Sequence, residues 1–151
     1  KVNRSKARVV TLRLGVVLGK DSAALKRMAL PFKFYVGGPL GRGNQYLSWI
    51  HIQDLTRMIL YIMDHPELTG PVNAVAPYPE RSRDFSRIIG EVLRKPSWLP
   101  VPEPLLRVAL GQMAEMLLHG QRAVPRKMLD AGFEFEFPTL KAALAEIWQE
   151  N

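Results

Sequence analysis

The stretch from Gly37 to Gly43, GGPLGRG, puts four glycines into seven residues, a density at which backbone N–H groups can close around a phosphate. A dinucleotide cradle needs G-x-G-x-x-G between a strand and a helix, because the glycines let the pyrophosphate approach the helix N-terminus. Gly41-Arg42-Gly43 supplies the first two glycines, but the third position is Tyr46 and the run that follows, YLSWIHI, is strand-like. The loop also lacks the G-K-[ST] ending of a P-loop. It is therefore expected to be structural, with several glycines at positive φ.

A tyrosine made more acidic by a lysine one helical turn later is the next chemistry to test. Tyr35, Tyr46, Tyr61 and Tyr78 are followed at that offset by Pro39, Ile50, His65 and Ser82, so the pairing is absent. His51, His65 and His119 are too far apart in sequence to form a zinc motif, and no metal site is expected. His51 and Asp54 form H-x-x-D across a strand-to-helix junction, which reads as a capping aspartate beside a packed histidine. Ser22, Ser48 and Ser82 lack a G-x-S-x-G setting and read as caps and a strand position. Trp49, Trp98 and Trp148 stand among apolar neighbours and read as core. No residue type here runs a reaction alone.

These residues are carried by a chain of 151 residues, 47% hydrophobic and 23% charged, long enough for one real core. The absence of cysteine removes thiolate chemistry and fits a reducing cytoplasmic compartment. A net charge of +7 rewards anionic ligands in general, but only KVNRSKAR is a basic run, and it reads as a solvated terminus. The charges do not cluster enough to choose among nucleic acid, anionic lipid and a phosphorylated ligand, and nucleic acid is not the expected partner. LLRVALGQMAEMLL is interrupted by Arg107, Gln112 and Glu115 and is too short for a bilayer, so no membrane partner is expected. The chain has no initiator methionine and enters a strand-like run within a few residues, so it reads as part of something longer.

Ala7 to Gly15, ARVVTLRLG, is a β-branched run expected to be buried on both faces of a parallel sheet. A helix follows, capped by Asp21 or Ser22 and ended by Pro31. YLSWIHI predicts a short strand, Asp54 the cap of LTRMILYIMDH, and Pro71 to Pro77 another buried strand. Strands and helices in this order resemble the tail of a doubly wound α/β sheet. Beyond about Tyr78 the pattern turns helical. Ser82 caps one helix; Pro104 opens another through Leu118, with Leu106, Leu110, Met113 and Leu117 inward and Leu105 and Val108 widening the stripe. A short helix stopped by Gly132, a strand from Phe133 to Phe137, and a helix capped by Thr139 close the chain.

VVTLRLGVVLG, GGPLGRGNQYLSWIHIQDL, GPVNAVAPYPERSRDF and HGQRAVPRKMLDAGFEF, in that order, resemble the C-terminal half of epimerase-family proteins of the extended, atypical short-chain dehydrogenase/reductase superfamily. The resemblance implies an α/β fold. Residues 1–77 would be the last strands and helices of a Rossmann-type NAD(P)-binding domain, its fingerprint half upstream. Residues 78–151 would be a mainly helical domain of unknown function on the substrate side. NAD(P) is then a cofactor of the full-length protein, with none expected for this segment alone.

In relatives the turn after the sixth sheet strand borders the nicotinamide and substrate, which implicates Leu14, Gly15, Val16 and Val17 as apolar walls and backbone contacts. A small-molecule substrate would meet Arg42, Gln45, Trp49, His51 and Arg122, none of them catalytic. One departure stands out: the arginine that clamps a sugar-nucleotide diphosphate in relatives is matched here by Leu47, which cannot bind a diphosphate by charge. Arg42, in the same loop, is the candidate replacement. The rival is a non-catalytic binding or regulatory module on the same scaffold, with nucleic acid as its ligand. Open strand edges further predict self-association.

Overall fold

The structure is a computed structural model that describes residues 7–111 and 113–149. Its first strands are β1, Val10–Leu14, and β2, Val16–Leu18, followed by helix α1, Ala23–Lys33. Strands β3, Tyr46–Leu47, and β4, Trp49–His51, lead into helix α2, Ile52–Asp64, and strand β5, Gly70–Ala74. After the short strand β6, Glu80–Arg81, the chain is helical: α3 Ser82–Leu93, α4 Glu103–Leu110, α5 Met113–Leu118, α6 Arg126–Asp130 and α7 Leu140–Gln149.

β1 pairs with β5 in parallel, Val10 opposite Gly70 through Leu14 opposite Ala74, and β2 pairs with β4 in parallel, Val16 opposite Trp49. Parallel neighbours require a crossover, which α1 supplies between β2 and β4. The run Val10 to Leu18 changes partner at Gly15: Gly15 N–H donates to the Ala74 carbonyl (3.2 Å), whereas Val16 N–H donates to the Ser48 carbonyl (2.8 Å). A side chain at Gly15 would place its Cβ 2.6 Å from the Ser48 oxygen, so this switch requires glycine.

Strand alternation sorts side chains onto two faces. Trp49 joins a core with Leu18, Phe32, Phe85, Ile89, Leu140 and Leu144, while its neighbour Ile50 joins a second with Met58, Ile62, Val72, Met128 and Phe133. Helices thus cover both faces of the β2–β4 pair, the layering of a doubly wound sheet. β1 departs from the expected burial on both faces: Val10 and Leu12 pack against the second core, but Thr11, Arg13 and Leu14 are exposed. Among the described residues no helix covers that face.

Several local expectations are corrected. Of the two expected caps Ser22 is the one that holds α1, accepting the Leu25 N–H (3.3 Å), whereas the helix runs past Pro31, its expected end, to Lys33, with Tyr35 beyond it at φ 63°. Proline within the last turn removes only one helical hydrogen bond. His51 caps α2, its Nδ1 accepting from Gln53 N–H (3.3 Å); Asp54 lies within the first turn. Arg81 holds the cap position of α3, and the Ser82 hydroxyl instead bonds Leu40 (3.0 Å from its N). The helix predicted through Leu118 breaks around Gly111, at φ 57°. Leu106 and Leu117 are buried as expected, the side chains of Leu110 and Met113 lie outside the described part, and Leu105 and Val108 are exposed.

Phe133 to Phe137 is not a strand. Among the described residues no strand pairs with it, and the Glu136 and Phe137 N–H groups donate to the carboxylate of buried Asp54 at 2.8 and 2.9 Å. Gly132, at φ 83°, does stop the helix before it. Trp98 is exposed, its indole N–H donating to the Tyr35 carbonyl (3.0 Å), rather than core. Of the basic N-terminal run, Lys1 to Lys6 lie outside the described residues, whereas Arg8 is anchored: its Nη1 donates to the carbonyls of Ile62, His65 and Leu68 at 2.8–3.0 Å, satisfying the open C-terminal end of α2.

Candidate functional site: a cleft at the partner switch

Where the strand run leaves β5 for β4, a cleft of about 480 Å³ opens at the carboxyl ends of β1 and β5. That is the position at which open α/β sheets bind ligands, because diverging strand ends leave a crevice no side chain fills. Leu14, Gly15 and Val16 form one wall. Tyr46 to Ser48 border it, and residues 119–123 fold over it from the helical part of the chain.

This covering segment is held by side chain to backbone bonds. Ser48 Oγ donates to the Gln121 carbonyl at 2.8 Å and accepts the Ala123 N–H at 3.0 Å. Asn73 Nδ2, at the strand end, donates to the Val124 carbonyl at 3.1 Å. Gly120 lies so close to the Tyr46 carbonyl that a Cβ there has no room. The polar backbone at the cleft mouth is thus largely committed to protein partners.

Tyr46 is the titratable group that sequence spacing did not find. Antiparallel pairing of β3 with β6 sets Tyr46 opposite Arg81, whose guanidinium carbon is 5.4 Å from the ring centre; that of Arg122 is at 5.5 Å. The Arg81 guanidinium beside the phenol, by hydrogen bonding and charge, holds its pKa below the ordinary tyrosine value. No lysine one turn away is needed. Arg13 also lines the cleft, opposite Asn73 in the β1–β5 register. The acid of the lining, Glu115, is engaged by Arg107 and His119 at 3.3 Å each.

Of the residues singled out from sequence, Leu14, Gly15, Val16 and Arg122 meet in this cleft. Val17 points to the opposite face, against the second core. Arg42 is exposed on the glycine turn, and Gln45 donates to the Leu40 carbonyl (2.9 Å), both outside the cleft wall. Trp49 is fully buried with its indole N–H on the Tyr78 carbonyl (3.1 Å). His51 is buried too, its Nε2 3.0 Å from Glu146 Oε2 and its ring 4.1 Å from Phe137. Trp49 and His51 are therefore buried beneath the site, and neither is among the residues that line the cleft. Leu47 is buried as well, leaving no charge at that position.

The glycine loop is structural. Gly41 N–H donates to Val101 and Gly43 N–H to Leu40, at 3.0 and 3.1 Å, and both residues have positive φ, so these amides are not available to a phosphate. Among the described residues no group of three or more acidic or imidazole side chains could hold a metal ion, and no helix is long and apolar enough to cross a membrane.

The layering, the parallel pairs and the cleft at the partner switch define a Rossmann-type α/β protein of the short-chain dehydrogenase/reductase kind with a helical C-terminal part. The chain is similar over most of its length to curated epimerase family proteins, and its residues 101–147 match the domain of unknown function DUF1731. It is 44% identical over 140 residues to the epimerase family protein YfhF of Bacillus subtilis, covering 93% of this chain and 46% of that protein. The chloroplastic epimerase family protein of Arabidopsis thaliana is 43% identical over 149 residues, covering 99% and 43%. The crystal structure of human epimerase family protein SDR39U1 with NADPH superposes with a TM-score of 0.88 at 37% identity, covering 96% of this chain and 50% of that one. The chain thus spans about half the length of the relatives it matches.

Proposed function

We propose that this chain forms the substrate side of an NAD(P)-dependent oxidoreductase or epimerase-like enzyme, with the cleft at Gly15 as the place where substrate and nicotinamide meet. The observation that carries this reading is the partner switch itself, which opens a crevice at the carboxyl ends of parallel strands in a chain similar to the human epimerase family protein crystallised with NADPH. When bound, the cofactor supplies hydride transfer. Leu14 and Val16 exclude water from one wall, and the 119–123 segment, fixed by Ser48, closes the other side. The phosphates of the cofactor fall to residues outside this chain, because the amides of Gly41 and Gly43 are already spent on protein carbonyls.

In this reading residues 1–77 complete the cofactor domain and residues 78–151 are its substrate-side partner, although the two share the core that joins Trp49 to Leu140 and Leu144. The second edge of β1, unpaired among the described residues, is where a further strand or another copy adds. NADPH titration followed by cofactor fluorescence is the test: the full-length protein binds and the isolated 151-residue chain does not. Failure of the full-length protein to bind NADPH, or nucleic-acid affinity that falls steeply with salt, overturns the assignment.

A further inference from the structure

The cleft carries more positive charge than its own residues neutralise. Arg13 projects from β1 and Arg122 from the covering segment; both are exposed, both line the same cavity, and neither has a carboxylate partner among the described residues. Glu115 is the acid that lines this space, and each of its oxygens already has a partner, Arg107 for one and His119 for the other. The Arg122 guanidinium rests near the Tyr46 ring rather than on an acid. A guanidinium placed by an aromatic ring keeps its N–H fork free for a planar or tetrahedral oxyanion, and its orientation costs the ligand less. The carbonyls of Gln121 and Val124, which would repel an anion, are turned onto Ser48 and Asn73. Tyr46 completes the set, its ring beside the guanidinium groups of Arg81 and Arg122.

We propose that this cleft takes a substrate bearing an oxyanion, a carboxylate or a phosphate group, held by Arg13 and Arg122 with the Tyr46 hydroxyl bonding an adjacent oxygen. The proposal rests on the cleft being the substrate site and names the chemical class that occupies it. Buried Leu47 and the two separate arginines fit a compact anion.

The experiment uses the full-length protein saturated with NADPH, so that cofactor phosphate sites are already filled, at constant ionic strength set by chloride. Inorganic phosphate and malonate are titrated separately by calorimetry into wild type, Arg13→Gln, Arg122→Gln and, as a surface control on α1, Arg27→Gln. At least one probe binds wild type, and its affinity falls about tenfold in each cleft variant but not in the control. A response to phosphate alone or malonate alone identifies which oxyanion the cleft prefers. Equal affinity in wild type and both cleft variants, or binding of neither probe, overturns the proposal. If NADPH does not bind but anion affinity still depends on Arg13 and Arg122, the oxidoreductase reading fails and the anion site stands. If NADPH binds and neither probe does, the reverse holds. Exposed arginines change little in the fold, and unchanged thermal midpoints of the variants verify it.

Discussion

Ser48 and Gln121 are joined across 73 residues of sequence by one hydrogen bond, the serine hydroxyl donating to the glutamine carbonyl at 2.8 Å. Because the same oxygen accepts the Ala123 N–H, a single side chain fixes both ends of the covering turn against the strand end. Ser48→Ala removes both of these bonds and leaves the Ala123 N–H only the Gln121 carbonyl, 3.1 Å away within the turn. The expected result is a loss of about 1 kcal/mol, read as a lower urea midpoint. Faster amide exchange at Ala123 than in wild type accompanies it, and unchanged exchange there contradicts the assigned role.

Asp54 is fully buried, and its carboxylate accepts from Glu136 N–H, Phe137 N–H and the Arg57 guanidinium, the last at 3.0 Å. It ties α2 to the segment before α7. Asp54→Ala strands two buried backbone donors, so unfolding measurements show a loss of about 3 kcal/mol. Asp54→Asn retains one acceptor and is expected to fall between Ala and wild type. A change within experimental error for Asp54→Ala would show that water replaces the carboxylate.

Tyr46 is expected to ionise below the ordinary tyrosine value in an ultraviolet titration, because Arg81, by hydrogen bonding and charge, favours the phenolate. Arg81→Met moves the transition upward, and Tyr46→Phe abolishes it. The sign for stability follows from a folded pKa below the unfolded one. The contribution is complete above the unfolded value, declines as pH falls through the folded value, and is lost below it. A Tyr46 transition unmoved by Arg81→Met would contradict the pairing.

Periodicity located most helices and strands because each buries a stripe or a face that the sequence must encode locally. α1, α2, α3 and β5 lie where apolar spacing puts them, and Gly41 and Gly43 have the positive φ expected of a structural turn. Errors arose where a local pattern had two readings. Asp54 stands within the first turn of a helix, as caps nearly do, but His51 has the extended backbone of the cap position, and the buried carboxylate serves residues more than eighty positions away. FEFEF alternates as a strand does, yet a strand exists only beside another; here Phe133 packs edge-on to Tyr61 and the amides turn to Asp54.

The sequence by itself determined the α/β pattern and the failure of the glycine loop as a phosphate cradle. Each follows from residue type and short spacing. Only the tertiary structure decided which polar groups meet: Arg81 beside Tyr46, Arg13 and Arg122 in one cleft, Ser48 under Gln121, and Trp49 and His51 turned away into the core. Those encounters depend on strand register and on where a strand changes partner, which are set by packing across the whole chain and leave no local mark in it.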